Sequence, residues 1–206
     1  MLTADRSNTS PDNRHATEQV DPTLLKLLAP PYDRAQCQAL LQQLLDRVEW
    51  QHEYIAFGRR FSVPRVQAWY ADDGTNYRYS NDFLQRRDWI PLLADIKADV
   101  ERITAHAFNA VLLTYYRDGD DHVTLHADDE PELGDSPTIA SLSLGAARRF
   151  EFRLKSGGAM HGIDLYDGDL LLMQPEFQRL WLHGVPQQPS VKEARINLTF
   201  RNVLTA

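Results

Sequence analysis

An α+β chain built around an antiparallel double sheet of jelly-roll type is the fold class this sequence predicts. Three observations predict it. Two stretches carry a helical apolar period, a longer region carries short β-rich runs separated by turn signals, and the last of those runs alternates strictly between apolar and polar residues. The 206 residues suit a single domain with a tail, and their 43% hydrophobic content suffices for a core without staples.

Residues 1–20 are polar, without aromatic residues or apolar period, and are expected to be a disordered tail before one domain at 21–206. Ala35 to Val48 places Leu40, Leu41, Leu44, Leu45 and Val48 at helical spacing, with Asp33 positioned to cap it. A β region from Glu53 to Tyr79 carries Gly58, Pro64 and Asp72-Asp73-Gly74. Pro91 to Ile103 repeats the helical picture, with Leu92, Leu93, Ile96, Val100 and Ile103 on one stripe. Seven β-rich runs follow: Ala110 to Tyr116, His122 to His126, Ile139 to Leu144, Phe150 to Leu154, Leu170 to Met173, Trp181 to Val185 and Arg195 to Val203. Between the fourth and fifth, the Gly-rich stretch holding His161 reads as an exposed turn. The pattern is two helices flanking an antiparallel double sheet, with the core expected at 108–203.

Composition narrows the function. One cysteine, Cys37, excludes an internal disulfide and a cysteine-based zinc ribbon. No apolar run is long enough to cross a bilayer, and Met1 to Val20 reads as lacking a secretory signal, so a cytoplasmic monomer is expected. The net charge of −7 disfavours coating of nucleic acid by bulk charge, while leaving room for local basic contacts.

Two constellations carry chemistry. In His126-Ala127-Asp128 an imidazole and a carboxylate, spaced i and i+2, project to one side of an extended chain. His183 lies 55 residues further on, in WLHGV. Two histidines and one carboxylate on one side of an ion form the facial triad of non-haem Fe(II) oxygenases, which leaves positions open for cosubstrate and dioxygen. Each signal has a plainer reading: a loop histidine beside an acidic cap, and a core histidine at 183. The second constellation is the alternating run at 195–201. Ile196, Leu198 and Phe200 share one face; Arg195, Asn197, Thr199 and Arg201 share the other. This is either a strand with one wet face or a polar barrel interior for a small dianion. Two arginine forks suit the two carboxylates of 2-oxoglutarate. An iron site and a dianion site are what one hydroxylase chemistry needs together.

With these residues in view the sequence resembles the AlkB family of Fe(II)- and 2-oxoglutarate-dependent dioxygenases, in its nucleic-acid dealkylating branch. The resemblance runs from about Tyr54 to Val203 and is strongest in SVPR (Ser62 to Arg65), DGDDHVTLHADDEPELG (Asp118 to Gly134), SPTIASLSLGAARRFEFR (Ser136 to Arg153) and ARINLTFRNV (Ala194 to Val203). It implies that His126, Asp128 and His183 hold iron, and that Arg195, Asn197, Thr199 and Arg201 bind 2-oxoglutarate. The family's Asn-x-Tyr cosubstrate motif reads Thr114-Tyr115-Tyr116 here, so Tyr116 matches and Thr114 replaces the amide. The fold it implies is a double-stranded β-helix with a nucleotide-recognition lid, expected at 54–80. Tyr77, Tyr79 and Trp69 are candidates to stack on a flipped base, with Asp129 and Glu130 at its edge; ordinary hairpin packing is the alternative for the three aromatics. Phe57-Gly58 falls where a duplex wedge is expected, and Arg59, Arg60 and Arg65 are candidate phosphate contacts. The implied activity is oxidative dealkylation of N-alkylated bases in DNA or RNA. Rival readings are a hydroxylase of a protein or small molecule, a non-catalytic ligand-binding β-barrel and, less favoured, a zinc hydrolase.

Overall fold

A computed structural model of the chain describes residues 24–56, 59–75 and 84–204, with the backbone alone at 54–56 and 59–61. The expected tail at 1–20 lies outside the described residues. Two β-sheets face one another. The larger contains β1 (Leu25–Leu28), β4 (Val66–Ala71), β5 (Arg86–Arg87), β6 (Ala110–Tyr116), β8 (Ile139–Gly145), β11 (Leu170–Met173) and β13 (Arg195–Arg201), in the order β1-β11-β8-β13-β6-β4-β5. The smaller contains β7 (Val123–His126), β9 (Arg148–Leu154), β10 (His161–Leu165) and β12 (Trp181–Val185), in the order β10-β9-β12-β7. A hairpin of β2 (Tyr54–Ala56) and β3 (Arg59–Phe61) stands apart. This is the jelly roll.

The helices form where the apolar period places them. α1 (Arg34–Arg47) begins at a capping box. The Gln36 backbone N–H donates to Asp33 Oδ1 at 2.8 Å, and the Asp33 N–H donates to Gln36 Oε1 at 2.9 Å. α2 (Pro91–Thr104) carries proline at its first position and ends at Ala105 in the left-handed region, φ 57°. Both helices lie on the outer face of the larger sheet. Leu44, Leu93, Ile96 and Val100 pack there against Val111, Leu113, Leu142, Leu144, Ile196, Leu198 and Phe200. A second core fills one end of the space between the sheets, from Ile139, Leu171 and Met173 on one side and Phe150, Phe152, Ile163 and Trp181 on the other.

Two expectations are corrected, and one element is added. His161–Leu165 is a strand, not a turn: Ile163 and Leu165 alternate inward while Gly162 lets Arg149 cross its face, where a Cβ would sit 2.7 Å from the Arg149 Nε. His161 is half-buried, its ring 5.8 Å from Phe152 and 5.7 Å from Trp181. The expected lid at 54–80 is divided, since Val66–Ala71 is buried throughout and pairs with β6 from Val66↔Tyr115 to Ala71↔Ala110. This segment of the region is a core strand. A short helix, α3 (Pro175–Leu180), precedes β12 and was not legible as such.

Candidate metal centre and cosubstrate pocket

The two imidazoles are brought together by the sheet itself. His183 on β12 is the direct antiparallel partner of His126 on β7, and their ring centroids are 4.4 Å apart. Asp128, two residues past His126, returns its carboxylate to the same side. One ligand atom from each of the three lies within 4.8 Å of the others, and His183 Nε2 is 4.0 Å from Asp128 Oδ2. An ion held by bonds of about 2.1 Å spans such a gap.

The electrostatics suit an ion. His126 Nδ1 stands 2.9 Å from the Thr124 carbonyl oxygen; with its proton there, the Nε2 lone pair is left free. His183 is buried, and its pKa is pushed down from 6.5 to about 3 by burial first and then by His126, against the pull of Asp128. The ring is therefore neutral at pH 7, as a ligand must be. Burial pushes the Asp128 carboxyl up, but Arg201 and the two imidazoles outweigh it and hold the group at about 2. Asp128 Oδ1 accepts a 2.6 Å hydrogen bond from Arg201 Nη2, whereas Oδ2 is buried with no hydrogen-bond partner among the described residues. A buried, ionised oxygen without a donor is costly unless a cation meets it. The donor set of two nitrogens and one carboxylate oxygen, with that orphaned atom aimed between them, fits Fe(II).

Beside the three ligands a cavity of about 180 Å³ opens between the sheets. Its floor is the polar face of β13, with Arg195, Asn197, Thr199 and Arg201 all on the lining. Arg195 is 1% exposed. Its Nη2 donates to Ser143 Oγ at 2.9 Å and Asn197 Oδ1 at 3.0 Å, while Nε and Nη1 are buried with Tyr116 as the neighbouring polar group and no carboxylate to meet them among the described residues. Those donors of a buried guanidinium match a carboxylate, so the pocket fits a dianion such as 2-oxoglutarate. Asn197 is fixed from both sides, accepting from Ser141 Oγ at 2.9 Å and donating to Thr199 Oγ1 at 2.8 Å. Tyr116 lies between two guanidinium groups, 5.1 Å from that of Arg195 and 5.2 Å from that of Arg148. Thr114 lines the cavity and is met by its cross-strand partner Gln67, whose Nε2 is 3.5 Å from Thr114 Oγ1. A carboxamide thus stands at the place where Thr114 lacks one.

The substrate candidates divide. Glu130 lines the cavity. Asp129 points away from it and pairs with Lys155 at 2.6 Å. Arg65 lines the cavity, with its Nη1 3.5 Å from the His122 carbonyl oxygen. Trp69 is 1% exposed in a cluster with Ala71, Leu84, Ala110, Leu112, Leu133 and Val203, so its ring is core, not a platform for a base. Arg59 and Arg60 lie on β3, of which the backbone alone is described; Phe57, Gly58, Tyr77 and Tyr79 lie outside the described residues. Residue patterns missed Arg148, buried at 1% and donating to the carbonyls of Asp118, Asp121 and Pro186, where it ties the loops at the arginine end of the pocket. The alternation of Arg148, Phe150 and Phe152 along β9 was its signal. Ser141 and Ser143, on the inward face of β8, were also missed.

Comparison with known proteins agrees with this geometry. Residues 23–201 match the model of the 2OG-Fe(II) oxygenase superfamily. DNA oxidative demethylase ALKBH2 of Homo sapiens is 38% identical over 185 residues, covering 84% of this chain and 71% of that protein. ALKBH2 of Bos taurus is 37% identical, and the chain spans 66% of its length. Alpha-ketoglutarate-dependent dioxygenase alkB homolog 3 of Homo sapiens is 39% identical over 175 residues, covering 80% of this chain and 60% of that protein. Among solved structures, that of OsALKBH1 superposes with a TM-score of 0.62 at 17% identity, covering 90% of this chain and 99% of that one, which speaks for the fold alone. With its two histidines and aspartate converging beside an arginine-lined pocket, the chain belongs to the 2OG-Fe(II) oxygenase superfamily and, within it, to the AlkB family.

Proposed function

We propose that this protein removes alkyl groups oxidatively from base nitrogens in nucleic acid, 1-methyladenine and 3-methylcytosine being the type substrates. The observation that carries the reading is the convergence of His126, Asp128 and His183 with Arg195 and Arg201 on one cavity. The names of its ALKBH2 relatives support the substrate class. Bound Fe(II), with 2-oxoglutarate and dioxygen, supplies an oxidant that hydroxylates the alkyl carbon, with succinate and carbon dioxide as coproducts. The hydroxyalkyl base then releases an aldehyde and the unmodified base.

The chain's own groups do the remaining work. His126 and His183 offer neutral nitrogens and Asp128 an ionised oxygen. Arg201 bridges that carboxylate to the pocket floor, and Arg195 anchors the distal carboxylate of the cosubstrate. Glu130 on the cavity lining is assigned the edge of an extruded base, where its charge favours a cationic methylated one. We assign the hairpin Tyr54–Phe61 and the segment holding Tyr77 and Tyr79 to the recognition lid. Their supports are the i, i+2 spacing of the two tyrosines and the separation of the hairpin from both sheets. Phe57 with Gly58 is assigned the wedge role and Arg59 with Arg60 the phosphate contacts, which favours a duplex over a single strand. A monomer in a reducing compartment such as the cytoplasm fits the single free, buried Cys37.

Incubation with Fe(II), 2-oxoglutarate and an oligonucleotide bearing 1-methyladenine or 3-methylcytosine, followed by mass spectrometry, tests the proposal. Loss of one methylene per lesion is expected. Unchanged oligonucleotides beside a working control enzyme would refute it. Succinate formed with a protein or small molecule alone would install the rival hydroxylase, and no succinate with any substrate would install the non-catalytic barrel.

A further inference from the structure

The three metal ligands are not held alike. His126 and His183 are opposed residues of paired strands, so the sheet ladder fixes both backbones. Asp128 lies past the end of β7, in a loop that leads to a 3-10 turn at Pro131–Leu133, and among the described residues no strand partner reaches its backbone. Its backbone N–H donates instead to the side-chain Oε1 of Gln178, at 2.9 Å. Gln178 is 0% exposed, and the other end of its carboxamide is also engaged, its Nε2 standing 3.4 Å from the Met173 sulfur on the cavity wall. A carboxamide with no contact to water, spent on one backbone N–H and one weak acceptor, is an expensive way to fill space. Its position explains it. Gln178 lies on α3, five residues before His183, so one short segment delivers both a ligand and the clamp on another ligand.

We propose that Gln178 is a positioning residue for the metal centre. By holding the Asp128 backbone it presets the carboxylate against His183, replacing the ladder bond that the end of β7 cannot supply. The residue touches neither cosubstrate nor reacting atoms. Its effect is on how tightly and in what geometry the ion is held. The inference rests on the assignment of His126, Asp128 and His183 as ligands.

Calorimetric titration of the metal-free protein with Co(II), together with the visible spectrum of the Co(II) form, tests it. Gln178→Met keeps length and approximate volume but removes both hydrogen-bonding ends. It is expected to bind Co(II) about tenfold more weakly, at the low end for groups that orient ligands, with a changed visible band. Gln178→Glu keeps an accepting oxygen and is expected to bind no more weakly than wild type. Leu165→Ala, a core truncation on β10 away from the ligands, controls for lost stability and is expected to lower Tm with affinity unchanged. Equal Co(II) affinity and spectrum in Gln178→Met would overturn the proposal. So would an affinity loss in Leu165→Ala matching that of Gln178→Met at equal Tm. Absence of Co(II) binding by wild type would overturn the ligand assignment itself, and the proposal with it.

Discussion

Arg195→Met is the substitution whose consequence is sharpest, because stability and binding should move in opposite directions. In the ligand-free protein the guanidinium is buried with two donors that no carboxylate meets among the described residues, and burial lowers its pKa, the mark of a charge poorly solvated by its surroundings. Methionine removes that uncompensated charge and keeps an unbranched side chain. Asn197 retains its bonds to Ser141 and Thr199. The ligand-free Tm is therefore expected to hold or rise. The cost appears on binding 2-oxoglutarate. Loss of a charge-assisted contact worth about 1.5–3 kcal/mol weakens affinity by roughly 10- to 150-fold. At a ligand concentration about 100 times the wild-type Kd, ligand stabilises wild type by about 2.7 kcal/mol. For a chain of this length that is a Tm rise of roughly 5–11 °C. With affinity down about 100-fold, the same concentration gives about 0.4 kcal/mol, or a rise of roughly 1–2 °C. Differential scanning fluorimetry of the Co(II)-loaded proteins, with and without 2-oxoglutarate, measures both quantities. A ligand-induced rise equal to that of wild type would place the dianion elsewhere and refute the reading of β13.

Other substitutions and conditions give equally direct outcomes. His126→Ala is expected to abolish Co(II) binding by calorimetry and turnover by mass spectrometry; an active variant would break the ligand assignment. The metal-free protein should lose stability as pH falls, by a mechanism whose sign is fixed. Above pH 6.5 His183 is neutral in both states; below it the unfolded chain takes up a proton that the folded ring resists until about pH 3, so stability is lost across that window. Asp128 adds loss of the same sign between pH 3.8 and about 2. Urea midpoints measured from pH 8 to pH 4 check this, and a midpoint independent of pH would contradict it. Trp69→Ala should destabilise by about 3–5 kcal/mol as a core truncation, without raising KM for a methylated oligonucleotide; a KM effect at unchanged Tm would return the ring to the substrate site.

Much of the site was legible because strand geometry converts spacing into direction. The i, i+2 rule put Asp128 beside His126, and strict alternation put four polar residues of 195–201 on one face. Both readings depend on a period of two, which a sequence displays openly. What stayed hidden depended on pairing between distant segments. Nothing local says that Val66–Ala71 joins β6, so Trp69 looked available to a substrate when the ladder had already buried it. Arg148 drew no reading from its neighbours in sequence, because the three carbonyls that surround it come from two remote loops. Gln178 carries no motif at all, and its meaning comes wholly from where β7 stops. His161–Leu165 was lost to its glycines, although the alternation of Ile163 and Leu165 was present.

The charges of the barrel interior give these separate observations one logic. Asp128 is paired with Arg201, whereas Arg195 has no carboxylate partner among the described residues, so the empty pocket carries an excess of positive charge near the distal arginine and an orphaned anionic oxygen at the ligand end. An added divalent cation alone answers the oxygen but increases the positive excess of the cavity. An added dianion alone answers Arg195 but faces Asp128 across a narrow space. Together the two additions cancel in net charge while each satisfies a different orphaned group. Burial strengthens that cancellation, because little water is present to screen it. The ion and the dianion should accordingly favour each other's binding, a coupling that titration of 2-oxoglutarate with and without Co(II) measures directly. Equal affinities in the two titrations would mean that the ligand end and the arginine end are screened from one another, and that Arg201, which touches the first and lines the second, does not join them.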